Sequence, residues 1–494
     1  MKLKSQNVRV RFAPSPTGFV HVGSLLAALY NWLEAKKNGG VFILRVEDTD
    51  QARLVEGSVE NLLKVLRWAG LDPDEGVSFD KAGKVTEKGE FGPYTQSKRL
   101  DIYRQYAKEL IDKDEAYYCF CTKDRLDTLR AEQEKNKQLT KYDGLCRHLT
   151  EDEVAEKLKN QESFVIRQKV PTGQEVVLHD LIRGEVKFPT DSLDDSVLMK
   201  SDGFPTYHLA VVVDDHLMQI THVIRAQEWL PSSPKHLLLY KSFGWTAPQF
   251  AHLSHLLNKD RSKLSKRQGD VAVEDYIKSG YLPEAMLNFL AITGWNPGEG
   301  TEQEIYSLKE LAKKFSLDRV HKTGAVFDRE KLDWINGLYI RNLDIKELTK
   351  LCLPYLGESV IGNQKSEYVE KVIALERERM KKLSDISEST GFFFSEPEYP
   401  AAMLVWKKSD QEKTKATLIK LAGFLGGVKK WNKTDLETAA IAWISEQGLT
   451  NGETLWPMRV ALTGKDKSPG PFEVADVLGA EKTLARLNAA IAKL

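Results

Sequence analysis

The sequence predicts a multidomain α/β protein in which a parallel-sheet domain is split by an insertion and followed by an all-helical region. Three observations predict it. Between Val8 and about Arg99, β-rich runs at 8–12 and 41–46 alternate with helical runs at 24–37 and 53–69, joined by Gly39-Gly40 and Gly70. This is the arithmetic of βαβ units with right-handed crossovers. A second apolar set at 209–213, 220–224 and 250–257, with a helical stretch at 234–243, resumes the pattern after an interruption from about 100 to 200. From about 343 onward, helical periodicity prevails at 366–387, 410–425, 435–447 and 474–493, with few strand-like runs.

The 494 residues are enough for about three ordinary domains and a sizeable core. Acidic and basic residues balance at 71 each, so a nucleic-acid partner has to be argued from local patches rather than net charge. No uninterrupted apolar run reaches about 18 residues, and Met1-Lys2-Leu3-Lys4-Ser5 leads straight into a strand without an apolar h-region. The expectation is a cytoplasmic protein with no membrane partner. The charged run R-A-E-Q-E-K-N-K-Q in the 130s reads as a solvated helix face.

Two segments carry chemistry. Residues 11–24 read R-F-A-P-S-P-T-G-F-V-H-V-G-S and pass from a strand through two prolines and Gly18 into a helix opening at about Ser24. Unpaired N–H groups and the dipole at such a helix start favour phosphate. Gly23, without a Cβ, lets an adenine or ribose lie on the backbone, and His21 can donate to phosphate oxygens. Far downstream, K-L-S-K-R at Lys263 to Arg267 supplies two cationic donors, Lys263 and Lys266, suited to charge growing on a leaving pyrophosphate. Either string alone also fits a helix cap or a solvated basic loop; both in this order point to an ATP site.

Three of the four cysteines cluster as Cys119-Phe120-Cys121 and, after 24 intervening residues, Cys146-Arg147-His148. Two close pairs of soft ligands joined by a long loop suit tetrahedral zinc, with His148 the usual chemical choice for the fourth position. Buried free thiols are the alternative.

These segments resemble a known family. H-V-G-S is similar to the HIGH signature of class I aminoacyl-tRNA synthetases and K-L-S-K-R to their K-M-S-K-S loop, with Ser24, Leu264 and Arg267 departing from the class consensus in ways ordinary for the glutamyl branch. V-F-I-L-R-V-E-D-T-D at 41–50, G-P-Y-T-Q-S-K-R-L at 92–100 and V-V-D-D-H-L-M at 212–218 narrow the resemblance to the glutamyl/glutaminyl subgroup. L-T-G at 462–464 extends it to bacterial-type glutamyl-tRNA synthetases over essentially the whole chain.

The resemblance implies a Rossmann-type catalytic domain over 1–99 and 200–240, an acceptor-binding insertion over 100–199, a stem-contact domain over 241–342 and an anticodon-binding region over 343–494. The stem-contact stretch carries amphipathic helical patterns at 283–292 and 307–314. The implied substrates are ATP with Mg2+, L-glutamate and tRNA(Glu), handled by a monomer that forms glutamyl-adenylate and transfers the acyl group to the terminal ribose. His21, Lys263 and Lys266 match the catalytic positions, and Thr17, Gly18, Gly23 and Ser24 complete the ATP site. Arg11, Ala13, Ser15, Glu47, Tyr207, Arg225 and Trp229 match the glutamate-binding positions.

Arginine is the natural fork for a carboxylate. Arg225 is assigned to the γ-carboxylate, Arg11 to the other end and Glu47 to the ammonium. The competing readings are a surface pair of Arg225 with Glu228, a turn-capping Glu47, and core packing for Tyr207 and Trp229. The resemblance also implies one structural Zn2+ in the insertion and adds Tyr142, in a Y-x3-C spacing, as a second candidate for the fourth ligand. Arg377 and Arg379 fall near where the family reads the third anticodon base, on what otherwise reads as a solvated helix face. The rival identities are a glutaminyl enzyme, whose anticodon region is β-barrel, a truncated tRNA-modifying paralogue, and an inactive RNA-binding paralogue.

Overall fold

The computed structural model describes residues 7–264, 271–298, 300–357, 362, 365–407 and 409–494. The chain forms two units, Met1–Ile277 with Pro283–Arg329, and Lys278–Leu282 with Glu330–Leu494.

In the first unit the strands are β1 (Arg9–Phe12), β2 (Val41–Leu44), β3 (Glu75–Phe79), β4 (Val85–Lys88), β5 (Ala116–Cys119), β6 (Val165–Gln168), β7 (Glu175–Asp180), β8 (Gly184–Pro189), β9 (Val197–Met199), β10 (His222–Ala226) and β11 (Gln249–Leu253). Eight of them build one sheet in the order β4-β3-β2-β1-β10-β11-β7-β8. From β3 to β7 all neighbours are parallel, and the outer strands β4 and β8 run antiparallel to theirs. Phe42, Ile43 and Leu44 are fully buried, as strands covered on both faces require. The helix Val22–Lys37 makes the crossover from β1 to β2 and ends on Lys36 and Lys37, whose charges complement its dipole. At the return, Gly39 takes φ 60°, and a Cβ on Gly40 would lie 2.0 Å from the Val8 carbonyl oxygen, so that joint accepts only glycine.

The apolar run 209–213 lies inside the helix Tyr207–Leu217. Leu209 to Val213 are all at most 2% exposed, so this helix is apolar all round and periodicity cannot separate it from a buried strand. The stretch 100–199 is divided between two sheets. Its hairpin β7-β8 joins the main sheet through β11, whereas β5, β6 and β9 form a separate three-stranded sheet. The helical patterns at 283–292 and 307–314 correspond to Pro283–Gly294 and Leu308–Lys314.

In the second unit every described element after residue 330 is helical, consistent with the periodicity and not with a β-barrel. Its core is built from Leu418, Leu421, Leu425, Leu436, Met458, Leu462, Phe472 and Leu487. The run 366–387 breaks into Ser366–Glu376 and Asp385–Phe394. Arg377 and Arg379 therefore occupy the connecting turn rather than a helix face, and Arg379 pairs with Glu376 and Glu473, each at 3.7 Å. The L-T-G segment closes the helix Asn451–Thr463, with Gly464 as its left-handed cap at φ 67°.

Candidate active site

In the main sheet β1 sits between β2 and β10, so the chain leaves β1 to one side and later returns to the other. The carboxyl ends of strands at such a switch point form a crevice. A cavity of about 630 Å3 opens there, lined by Arg11 and Phe12 from β1, Ile224 to Ala226 from β10 and Leu253 from β11. Ala13, Ser15, Thr17, His21, Gly23, Ser24, Glu47, Tyr207, Trp229 and Lys263 also line it. Gly18 lines an adjoining cavity, which shares Ser15, Thr17, His21 and Ser24. Lys266 and Arg267 lie outside the described residues.

The helix start is not the row of unpaired amides that the sequence suggests. The amides of Val22, Gly23, Ser24 and Leu25 are already satisfied, by Val271 O, His21 Nδ1 and, for the last two, His21 O. No amide of this first turn remains unpaired for phosphate; what faces the cavity is the dipole and side-chain donors. His21 is the N-cap, its Nδ1 accepting from the Gly23 amide at 2.9 Å. That bond leaves the neutral ring's proton on Nε2, the form that donates. A Cβ on Gly23 would lie 3.2 Å from the same Nδ1, so a larger residue there would press the imidazole a few tenths of an ångström from its position. Lys263 lines the cavity and pairs with Glu228.

Arg11 belongs to a buried ionic cluster. Its Nε donates to Asp215 at 3.0 Å; Arg45 donates to Asp215 at 2.7 Å and to Glu47 at 3.0 Å; Arg99 donates to Asp214 at 2.8 Å. Three guanidinium groups thus meet three carboxylates, and all six residues are buried. Burial pushes the Asp215 carboxyl up, yet Arg11 and Arg45 hold it below the usual carboxylate range. For Glu47 burial wins over Arg45 and Arg11, and the carboxyl is raised. Glu47 is therefore a cavity group engaged with Arg45, not the cap of a turn. Among the described residues nothing accepts from the two Nη atoms of Arg11, which leaves them to the cavity.

Arg45, Arg99, Asp214 and Asp215 were not singled out from sequence. The signal was there: a charge set in V-F-I-L-R or L-A-V-V-V-D-D must be buried with its apolar neighbours, and buried charges need partners.

Arg225 differs. It is 7% exposed and pairs with no carboxylate among the described residues, Glu228 included. Its donors go to His252 Nε2 (3.0 Å), Tyr207 Oη (2.8 Å), Ser233 Oγ (2.9 Å) and Trp229 O (3.2 Å), with His236 Nδ1 at 3.4 Å. Burial pushes both His252 and His236 below the ordinary histidine range, so these partners are neutral. The Tyr207 and Trp229 rings lie 4.3 Å apart and both line the cavity, with Trp229 38% exposed, so neither is a plain core aromatic.

In the smaller sheet's neighbourhood, the sulfurs of Cys119, Cys121 and Cys146 all lie within 4.8 Å of one another. The Tyr142 hydroxyl is 3.4 Å from both Cys119 Sγ and Cys121 Sγ, and Cys121 Sγ is 3.5 Å from Cys146 Sγ. Bonds of about 2.3 Å in a tetrahedron separate ligand sulfurs by roughly 3.8 Å, so this donor set fits zinc. His148 is not part of the group: it is exposed, two residues beyond Cys146 on a 3-10 turn, where positions two apart point away from each other. The Tyr142 hydroxyl, and not the His148 ring, lies beside these sulfurs.

The cavity at the switch point, with Arg11, Arg225, Lys263 and the His21-capped helix around it, suits a nucleotide and a carboxylate, the chemistry of a nucleotide-dependent ligase. Comparison with known proteins agrees. Residues 7–334 match the family model for the catalytic domain of class I tRNA synthetases (E and Q), and residues 347–491 match the anticodon binding domain. The chain is 46% identical to the glutamate–tRNA ligase of Clostridioides difficile (strain 630), over 97% of this chain and 98% of that protein. It is 47% identical to that of Chloroherpeton thalassium, over 100% and 99%. A crystal structure of a glutamate tRNA ligase from Elizabethkingia meningosepticum in complex with its amino acid superposes with a TM-score of 0.88 at 38% identity, covering 99% of each chain. The chain belongs to the class I tRNA synthetases and, within them, to the glutamate–tRNA ligases.

Proposed function

We propose that in this ligase Arg225 receives the γ-carboxylate of glutamate, Arg11 the α-carboxylate end and Glu47 the ammonium, with Ala13, Ser15, Tyr207 and Trp229 forming the walls. The observation that carries this reading is a buried guanidinium at the cavity with only neutral partners. The Arg11 cluster balances its own charges, whereas Arg225 lacks a counter-ion that a substrate carboxylate supplies and glutamine does not. The glutamate α-carboxylate attacks the α-phosphorus of Mg-ATP, the bond to the β-phosphate oxygen breaks, and pyrophosphate leaves. The terminal ribose hydroxyl of tRNA(Glu) then takes the acyl group and AMP departs. His21 Nε2–H and Lys263 donate to the phosphates, with Lys266 stabilising the leaving pyrophosphate and Thr17, Gly18, Gly23 and Ser24 shaping the nucleotide site.

The remaining assignments follow the same reading. Residues 100–199 hold the acceptor end, 241–342 contact the stem, and 343–494 read the anticodon with Arg377 and Arg379. Cys119, Cys121, Cys146 and Tyr142 hold one Zn2+ that fixes the insertion's fold. The enzyme works as a cytoplasmic monomer; no helix among the described residues is long and apolar enough to cross a membrane.

The test is Arg225→Cys, assayed with glutamate and glutamine. kcat/KM for glutamate falls about a hundredfold or more, while that for glutamine is unchanged or slightly higher. An unchanged glutamate KM removes Arg225 from the pocket, and equal losses for both amino acids move it to the α-carboxylate.

A further inference from the structure

Arg225 is held by a device that the reaction described above leaves unused. Arg225 on β10 and His252 on β11 are register partners in adjacent parallel strands, and Asp180 ends the next strand, β7. Three neighbouring strands thus deliver an arginine, a histidine and an aspartate in a row. His252 is completely buried; its Nδ1 lies 2.6 Å from Asp180 Oδ2 and its Nε2 accepts from Arg225 Nε at 3.0 Å. Asp180 also accepts from the amides of Ile182 (3.0 Å), Arg183 (2.8 Å) and His252 (3.1 Å). Its charge is therefore spent locally, one residue removed from Arg225.

The chemistry explains the order of the three groups. A carboxylate touching Arg225 directly would neutralise it and compete with the substrate's own carboxylate. A neutral imidazole accepts the Nε–H without cancelling the charge, provided its proton stays on the far nitrogen. Asp180, accepting only, keeps that proton on Nδ1 and so keeps Nε2 an acceptor. With Nε anchored, the guanidinium plane is fixed and its two Nη groups remain beside Tyr207 and Trp229 at the cavity.

We infer that Asp180 and His252 form a positioning pair that orients Arg225 for recognition of the substrate's side-chain carboxylate. The inference rests on the assignment of Arg225 to that carboxylate. Neither residue lines the cavity, so their removal acts on glutamate binding through Arg225 and leaves ATP handling alone.

Two substitutions divide the histidine's roles. His252→Gln carries an amide oxygen near the position of Nε2 and can still accept from Arg225. His252→Asn keeps a donor near Nδ1 for Asp180 but reaches no acceptor to Arg225. Both are assayed in the full-length enzyme with tRNA beside Arg225→Cys. In His252→Asn the glutamate KM rises about tenfold or more, kcat stays within about threefold and the KM for ATP is unchanged, whereas His252→Gln returns the glutamate KM to within about threefold of wild type. Equal KM shifts in the two variants, or a loss in kcat and ATP affinity alike, overturn the inference. If His252→Asn does not fold, the decision passes to His252→Gln, in which a glutamate KM more than about tenfold above wild type overturns it. An unchanged glutamate KM in Arg225→Cys instead defeats the underlying assignment, so the two failures are distinguishable.

Discussion

Two buried arginines face the same cavity and are held in opposite ways. Arg11 is tied to Asp215 within a cluster where Arg45 and Arg99 also have carboxylate partners, whereas Arg225 is surrounded by a tyrosine, a serine, two neutral histidines and a backbone carbonyl. Counter-ions make a buried cation part of the framework; dipoles hold it in place while leaving its charge for a ligand. Arg11 combines both situations, since one edge meets Asp215 and the other is left to the cavity.

The largest expected effect lies on the framework side. Asp214 accepts from Arg99, Tyr103 and Gln96, all buried. Asp214→Ala strands Arg99 without its carboxylate and costs about 3–5 kcal/mol of stability, read as a large drop in Tm or in the urea midpoint. The same measurement on Arg225→Cys gives a much smaller change, because no anion is left behind; comparable losses would erase the distinction between framework and ligand site.

Tyr207→Phe sharpens the ligand side. It removes one neutral acceptor from Arg225 Nη1 and keeps the ring against Trp229. The expected outcome is a rise of about fivefold in glutamate KM with little change in Tm, since a single hydrogen bond to a partly accessible group is worth about 1 kcal/mol.

Glu47 and Asp215 give the smallest effect and a clear sign. Glu47 is raised when folded, so its contribution to stability is full below the unfolded carboxylate range and is lost as pH rises through the folded value. Asp215 is depressed when folded, so its contribution is present above the unfolded range and is lost as pH falls through the folded value. At pH 7.5, Glu47→Gln therefore leaves Tm no lower than wild type while raising the glutamate KM, whereas Asp215→Asn lowers Tm. A lower Tm in Glu47→Gln would show that its bond to Arg45 outweighs the burial penalty.

The zinc assignment separates along the same line between geometry and spacing. Tyr142→Phe lowers zinc content in metal analysis, and His148→Ala leaves it unchanged, because only the former removes an atom that lies among the thiols.

The parallel sheet, the helical C-terminal region and twelve of the residues lining the cavity were legible in the sequence. These depend on local periodicity and on motifs whose members lie close in the chain, such as Arg11 to Ser24. What depends on distant partners is set only in three dimensions. Leu209 to Val213 are helical, but their burial on all sides removes the period that would tell a helix from a strand in the sequence. Tyr142 rather than His148 joined the cysteines because a 3-10 turn sends Cys146 and His148 in different directions. The first-turn amides proved already satisfied because Val271, some 250 residues away, supplies one acceptor and His21 the others. The cradle of Arg225 was equally invisible in one dimension: Asp180, Arg225, Ser233, His236 and His252 carry no common motif, and only strand register and the helix behind it bring them to one guanidinium.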